Sequence, residues 1–423
     1  MESYLKIKAY APEWMENFSC LGSNCPKTCC KGWNIPVDQE HAERYENLND
    51  PDLTPILIKV FKKIKIRRNG KQENRYFLKL LEQREDICPL LDKTGLCSLQ
   101  KKYSSDMLCA TCYFFPKILW QIEDQWSLSA SLSCPEVLRR AILNTDPIRF
   151  TWIETELDPE SEWLDLSFVK DKHLKALLNN RPKIINIMIS FLQNRTDSYA
   201  TKLLFICSFL TNLSELIQNS DISDFDLLLS NAANLEMHNE ITPIRSVDSV
   251  DDLTEWVQLL STTFKWGLES SAKYHSDIQN DFLKILCYAK IPSRIIAENY
   301  LFARNQVFQP FIRKHPYLFE NFLIHFIFSD FLKQFSLYQS ETTNVTNIIR
   351  YEILQLCAIY SLMQFLFVKQ SLSSGEMDSS IFLDVIHQAD QSYLHYPVYI
   401  QQSLQHFPNI PLKDEDIRIL LSC

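Results

Sequence analysis

Glycine is scarce in this sequence. There are six in 423 residues, at positions 22, 32, 70, 95, 267 and 375, and no two form a G-x-G pattern. Folds that hold a phosphate or dinucleotide on a glycine-rich strand-to-helix turn are therefore hard to fit. Positive charge is also short: 43 Lys and Arg against 52 Asp and Glu leave a formal net charge of −9, which argues against a general nucleic-acid binder. The longest apolar runs, "NFLIHFIFSDFLKQF" and "YEILQLCAIYSLMQFLFV", are broken by His325 and Asp330 and by Gln355 and Gln364. Neither reaches about 18 clean apolar residues, so buried helices are expected, with no membrane contact. The opening "MESYLKIKAYAPEW" has no apolar core of a signal peptide and no cleavage site, so a cytoplasmic protein with reduced thiols is expected. H-E-x-x-H, a Ser–His–Asp order and a repeat of fixed period are all missing.

Against these absences stands cysteine. Nine of the thirteen fall between positions 20 and 134, and four of those crowd into "FSCLGSNCPKTCCKGWNIPVD" as Cys20, Cys25, Cys29 and Cys30. A second group reads Cys88-x8-Cys97-x11-Cys109-x2-Cys112, followed by Cys134. Chance clustering and disulfides are the competing explanations, and the expected reducing compartment disfavours the second. Thiolates are soft ligands for zinc and for iron–sulfur clusters, and ligand type alone does not separate the two. A paired C-x2-C…C-x2-C zinc-ribbon spacing is missing, which lowers zinc. Adjacent cysteines seldom reach one metal together, so Cys29 and Cys30 are expected to serve different sites, or one of them to be structural. Pro89 and Pro135 each follow a cysteine and remove an N–H that would otherwise need a partner near the sulfurs. Cys207, Cys287 and Cys357 sit in apolar helical patterns and are expected to fill core, and Cys423 to be incidental.

The texture of the chain changes near residue 150. Before it, "WNIPVD" predicts a short strand, Asp38 caps a helix over "HAERYENL", and Lys93–Thr94–Gly95 predicts a turn. "ILWQIE" and "WSLSASLS" predict a hairpin with Trp126, Leu128, Ala130 and Leu132 on one face. From about 160 onward apolar residues recur at three- and four-residue spacing, a loop is expected within 219–252, and "SLSSGEMDSS" predicts a break before the last helices. The expected fold is mainly α: a small cysteine-rich α+β module over 1–150, followed by a larger all-α portion over 151–423.

The cysteine-bearing stretches also carry a resemblance. "FSCLGSNCPKTCCKGWNIPVD", "CPLLDKTGLCSLQKKYSSDMLCATCYFFPK" and "SLSASLSCPEVLRRAIL" resemble, in that order, three signatures of the flagellin lysine-N-methylase family, and "HPYLFENFLIHFIFSDFLKQF" is similar to a segment of its helical half. The first two signatures also resemble a broader family of small cysteine-rich proteins that bind iron–sulfur clusters or zinc. The resemblance implies methyl transfer from S-adenosylmethionine to lysine ε-amines on flagellin, in a protein with a [4Fe–4S] cluster held by cysteines. The positions matching the family pattern, and so its implied metal ligands, are Cys20, Cys25, Cys29, Cys30, Cys88, Cys97, Cys112 and Cys134. Cys109 stands where relatives more often carry another small residue, and Lys117 in "YFFPK" takes the slot of the usual arginine. The competing reading is a non-enzymatic iron–sulfur or zinc protein: a sensor, carrier or adaptor.

A lysine must lose its proton before it attacks a methyl sulfonium, and an apolar aromatic site favours both the neutral amine and the sulfonium. With no glycine-rich turn, and with Cys25-x3-Cys29 followed at once by Cys30 instead of the C-x3-C-x2-C of common radical enzymes, the donor is expected in an unfamiliar site. Glu320, Asn321 and His325 are weak candidates for catalysis in the family-like helix, set against a reading as satisfied core polar groups. Residues 57–71 hold seven basic side chains and no acidic one, and are expected to form a solvated face.

Overall fold

The computed structural model describes residues 4–68, 71–80, 87–122, 125–157, 171–237, 244, 247–270, 292–333, 344–391 and 414–422. It is mainly α with small sheets. The chain divides into two compact units. One comprises Met1–Leu119, Leu128–Leu138 and Thr151–Trp163; the other comprises Trp120–Ser127, Arg139–Phe150 and Leu164–Cys423. The first therefore continues past residue 150, the boundary expected from composition.

The described residues form two sheets. Strands β1 (Leu5–Pro12), β5 (Lys117–Ile122), β6 (Gln125–Ala130) and β7 (Phe150–Leu157) line up as β5–β6–β1–β7. The predicted hairpin is there as neighbours β5 and β6. Its serine face is covered as well as its apolar one: Ser127, Ser129 and Ser131 are buried alongside Leu128, Ala130 and Leu132. The second sheet runs β2 (Ile35–Val37), β4 (Lys71–Leu78), β3 (Phe61–Arg68), with both pairs antiparallel. The basic run thus ends as an edge strand, with Lys63, Lys65 and Arg67 exposed, a common way to keep an open edge from pairing with another chain.

Short helices fill the gaps. Asp38 caps α1 (Gln39–Glu46) by accepting the His41 N–H at 2.9 Å, as the sequence predicts. α2 (Thr54–Val60), α3 (Ser98–Tyr103), α4 (Ala110–Phe114) and α5 (Pro135–Ile142) follow.

The helical unit includes α6 (Lys172–Asn179), α7 (Arg181–Gln193), α8 (Tyr199–Asn219) and α9 (Phe225–Met237). α9 lies where a loop was expected. Its Phe225, Leu228, Leu229 and Ala232 are buried at i, i+3, i+4 and i+7, and Asp224 accepts the Leu227 N–H at 3.0 Å, so one apolar stripe carries a helix through polar surroundings. The helix Pro316–Asp330 is buried on all sides from Leu318 to Ser329. The helix Val345–Ser374 ends at Gly375 (φ 75°), whose left-handed backbone makes the break narrower than "SLSSGEMDSS" suggested. Among the described residues two helices, Tyr199–Asn219 and Val345–Ser374, are long and apolar enough to cross a membrane; in the second, 94% of the apolar window is buried within the protein. Phe367 stacks on Phe382 at 4.2 Å, and Phe319 on Tyr360 at 5.5 Å, at the centre of this unit.

Candidate metal centre

Helix α1 organises the thiols. Asp38 both caps α1 and, through its other oxygen, accepts the Ala110 N–H at 2.8 Å, satisfying the first amide of α4. His41 Nδ1 lies 2.7 Å from Asp38. Arg44 Nη1 donates to Asp106 O at 2.7 Å, and Tyr45 donates to Met107 O at 2.9 Å while accepting the Cys109 N–H at 3.1 Å. Four bonds from this short helix and its cap thus hold residues 106–110 and set Cys109 at the cap, and Cys112 on the first turn, of α4.

Backbone pairing brings in the other thiols. The Cys88 N–H donates to Cys30 O at 2.7 Å, beside a bridge between Lys31 and Ile87. Leu91 pairs with Cys97, and the predicted turn between them is held by Asp92, whose Oδ1 accepts from the amides of Thr94 (2.7 Å) and Leu96 (3.1 Å). Gly95 turns there at φ 79°. Cys88 and Cys109 are buried in one apolar cluster with Ile35, Leu57, Val60 and Leu90, and Cys30, Cys97 and Cys112 pack against it.

Four further thiols are less buried. Cys20 and Cys29 are exposed, and Cys25 and Cys134 half-buried. The Gly22 N–H points at Cys20 Sγ (3.4 Å), and the Cys25 thiol donates to Lys27 O at 3.0 Å. This loop sits against the 92–97 turn: a Cβ on Gly22 would lie 3.6 Å from Leu96 Cδ2, and one on Gly95 3.8 Å from Ser23 Cα. Both opening and second cysteine signatures therefore converge in space.

The thiols shape one another's acidity. Burial, then neighbouring thiols, push Cys88 up to about 12, and burial raises Cys97 and Cys134 as well. Cys30 is lowered to about 7, chiefly by the hydrogen bond from the Cys29 thiol, which is itself raised. Cys112 likewise donates to Cys109, raising the first and lowering the second. All eleven described cysteines are free thiols. Among the described residues no three His, Cys, Asp or Glu side chains already stand around one metal ion, so loading requires side chains to turn and thiols to release protons. The donor set fits a thiolate-ligated centre in kind: sulfurs gathered on an apolar cluster.

The catalytic candidates lie in the helical unit. Glu320 is fully buried and paired by Arg195 through Nη2 (3.0 Å) and Nε (3.1 Å). Asn321 Nδ2 donates to the carbonyls of Ile142 (3.0 Å) and Asn144 (2.7 Å). His325 is buried, with Ser329 Oγ 3.4 Å from its Nε2. The first two tie chain segments together. Cys207 and Cys357 are core residues with sulfurs 3.6 Å apart, as expected; Cys287 and Cys423 lie outside the described residues.

Two features escaped sequence reasoning. Cys109 belongs with the inner thiols; its signal was the C-x2-C spacing with Cys112 at a helix start. Two buried polar groups lie in the helical unit: Arg181 stacks on Trp120 at 3.9 Å and donates to the carbonyls of Phe331 (2.7 Å) and Phe328, while burial raises the Glu352 carboxyl to about 8.

The architecture is that of a mainly helical protein with nine of its eleven described thiols in one unit. Residues 186–414, just over half of the chain, match the FliB lysine N-methylase C-terminal domain. The Flagellar biosynthetic protein FliU of Salmonella muenchen is 33% identical over 141 residues, covering 33% of this chain and 80% of that protein. The lysine-N-methylases of Salmonella typhimurium and Salmonella choleraesuis are 33% and 32% identical over 141 residues, covering 33% of this chain and 34% of each relative. The chain thus matches about a third of the length of those two relatives. No solved structure matches. The chain belongs to the FliB lysine N-methylase family. The expected enzyme class, lysine methyltransferase, agrees with that membership.

Proposed function

We propose that this protein is a cytoplasmic enzyme that transfers methyl groups from S-adenosylmethionine to lysine ε-amines of flagellin. The observation that carries the proposal is the family match over residues 186–414, and the flagellar name of one relative supports the choice of substrate. The neutral lysine nitrogen attacks the methyl carbon, the carbon–sulfur bond breaks towards sulfur, S-adenosylhomocysteine leaves, and the new ammonium gives up a proton to solvent or a base. No electron is transferred. A [4Fe–4S] cluster held by the gathered thiols would therefore brace the first unit or position the donor; zinc is the alternative occupant. Glu320 fits a supporting role better than proton transfer, because Arg195 already pairs its carboxylate, and Asn321 Nδ2 is engaged with the 142–144 backbone.

Anaerobically purified protein should label flagellin from methyl-tritiated S-adenosylmethionine and yield methylated lysines by mass spectrometry. Binding of iron or zinc without donor binding or labelling would leave the non-enzymatic metal protein as the correct reading.

A further inference from the structure

Strand β7 sorts its side chains by alternation. Ile153, Thr155 and Leu157 are buried, whereas Trp152 and Glu154 are exposed and Glu156 half-buried on the opposite face. Trp152 is 50% exposed, a large aromatic surface to leave in water. It is nonetheless held: its ring leans on Tyr10 of the neighbouring strand β1, with centroids 5.4 Å apart and planes at 48°. Farther along the same face Glu156 accepts the Tyr113 hydroxyl at 2.7 Å. On β1, Lys6 and Lys8 alternate in step with Tyr10 and are exposed. Two lysines thus stand against two carboxylates beside the aromatic pair. All of these residues belong to the first unit.

We propose that Trp152 and Tyr10, with Glu154 beside them, form a surface site for methylated lysine side chains of a protein. The faces of aromatic rings attract cations, and a quaternary ammonium is the cation they suit best. A plain lysine ammonium is a compact, strongly hydrated charge. Each methyl removes an N–H that water would hold and wraps apolar surface around the same charge. The methylated head therefore gives up less hydration at a ring and touches more of it. Because Lys6 and Lys8 offset the carboxylates, net charge gives this face little preference, and the rings supply the selection. Glu154, two positions from Trp152 on the same face, adds local attraction. That the ligand is the enzyme's own product rests on the methylase reading: an enzyme that holds a finished side chain keeps the remaining lysines of the same substrate at high local concentration. A cross-strand aromatic pair that only stabilises the sheet would not distinguish the methylation state of a ligand.

The test uses the full chain and three probes: N-acetyl-lysine methylamide, its Nε-trimethyl form, and the neutral tert-butyl isostere with carbon in place of the charged nitrogen. Dissociation constants come from broadening of the probe's own proton resonances as protein is added, a readout that serves every variant. The trimethyl probe should bind about fivefold more tightly than either of the others. Trp152→Ala should abolish that preference, Trp152→Phe should keep part of it, and Glu154→Gln should weaken the two charged probes while leaving the neutral one unchanged. Equal binding of the charged and neutral trimethyl heads would overturn the proposal, as would tighter binding of unmodified lysine or a full preference in folded Trp152→Ala. Should Trp152→Ala fail to fold by circular dichroism, Trp152→Phe and the comparison of probes on the wild type decide. The measurement needs no methyl donor and no turnover. A chain that selects the trimethyl probe but labels no flagellin keeps the site and loses the methylase reading; one that labels flagellin without selecting the probe does the reverse.

Discussion

The two units solve the same problem, making an interior, by different means. The helical unit does it with large side chains. The helix Pro316–Asp330 is surrounded on every face, and Phe319, Phe322, Phe367 and Phe382 stack within it. Among its interior polar groups, Glu320 is paired within the unit by Arg195. The first unit does it with short helices, loops held by side-chain to backbone bonds, and a cluster in which five cysteines pack among apolar side chains. An aromatic core is stable by itself because apolar area leaves water. A sulfur-lined interior gains less from burial and holds raised thiols that favour a ligand in place of their protons. The lesson is that stability and metal content should respond to different residues in the two regions.

The largest expected effect breaks the helical side. Phe319→Ala should cost about 3–5 kcal/mol through the cavity left behind, lowering the denaturant midpoint of the helical unit, while metal bound per folded chain stays unchanged. A parallel loss of metal would mean that the two regions are not independent.

Next in size is Glu352→Gln. The Glu352 carboxyl is raised from an ordinary 4.5 to about 8, first by burial and also by Asp330, against the Leu332 N–H and the distant charge of Arg181. With the folded value above the unfolded one, the stability it contributes is whole below pH 4.5 and is lost as pH rises towards 8. Glutamine keeps the shape without the titration, so the variant should gain on the order of 2–3 kcal/mol over wild type between pH 5 and pH 8. Thermal melts at both pH values would show the two proteins converging in acid; equal gains at both would reject this origin.

A smaller effect sharpens the sulfur side. At Asp38, burial works against ionisation, but bonds from the His41 ring and from the His41 and Ala110 amides prevail and lower it from 3.8 to about 2. Its contribution is present above 3.8 and lost as pH falls towards 2. His41 is raised, with burial again opposing and Asp38 prevailing, so its contribution is present below 6.5 and lost as pH rises through its folded value. Between 3.8 and 6.5 the pair is at full strength. Asp38→Asn should cost about 2 kcal/mol there, flatten the acid limb, and speed amide exchange at Ala110. An unchanged exchange rate at Ala110 would show that α1 does not hold the start of α4. The smallest effect belongs to the edge strand: Lys65→Gln should move stability by no more than about 0.5 kcal/mol, and a larger loss would mean that this face is not solvated.

Much of the local structure was legible because its causes are local. Asp38 before an amphipathic stretch, Asp92 before Thr94 and Gly95, and the period of α7 and α8 all act within four residues of themselves. α9 was hidden because polar neighbours masked its stripe at Phe225, Leu228, Leu229 and Ala232. Arg181 looked like an ordinary residue at a helix start, ahead of Pro182, and Glu352 like an interruption in an apolar run; nothing near either in sequence announces Trp120 or Leu332. Among the thiols the gathering was legible, and the place of Cys109 within it was not.

The sequence by itself determined which chemistry is available: soft sulfur ligands in the first third, aromatic bulk in the rest, and too little glycine for a phosphate loop. Those are properties of side-chain type and short spacing, which any conformation retains. Only the tertiary structure decided what each cysteine meets, because Cys30 accepts the Cys88 N–H across 58 positions and Tyr45 accepts the Cys109 N–H across 64. Burial is a property of what packs around an atom, and no reading of neighbours along the chain contains it.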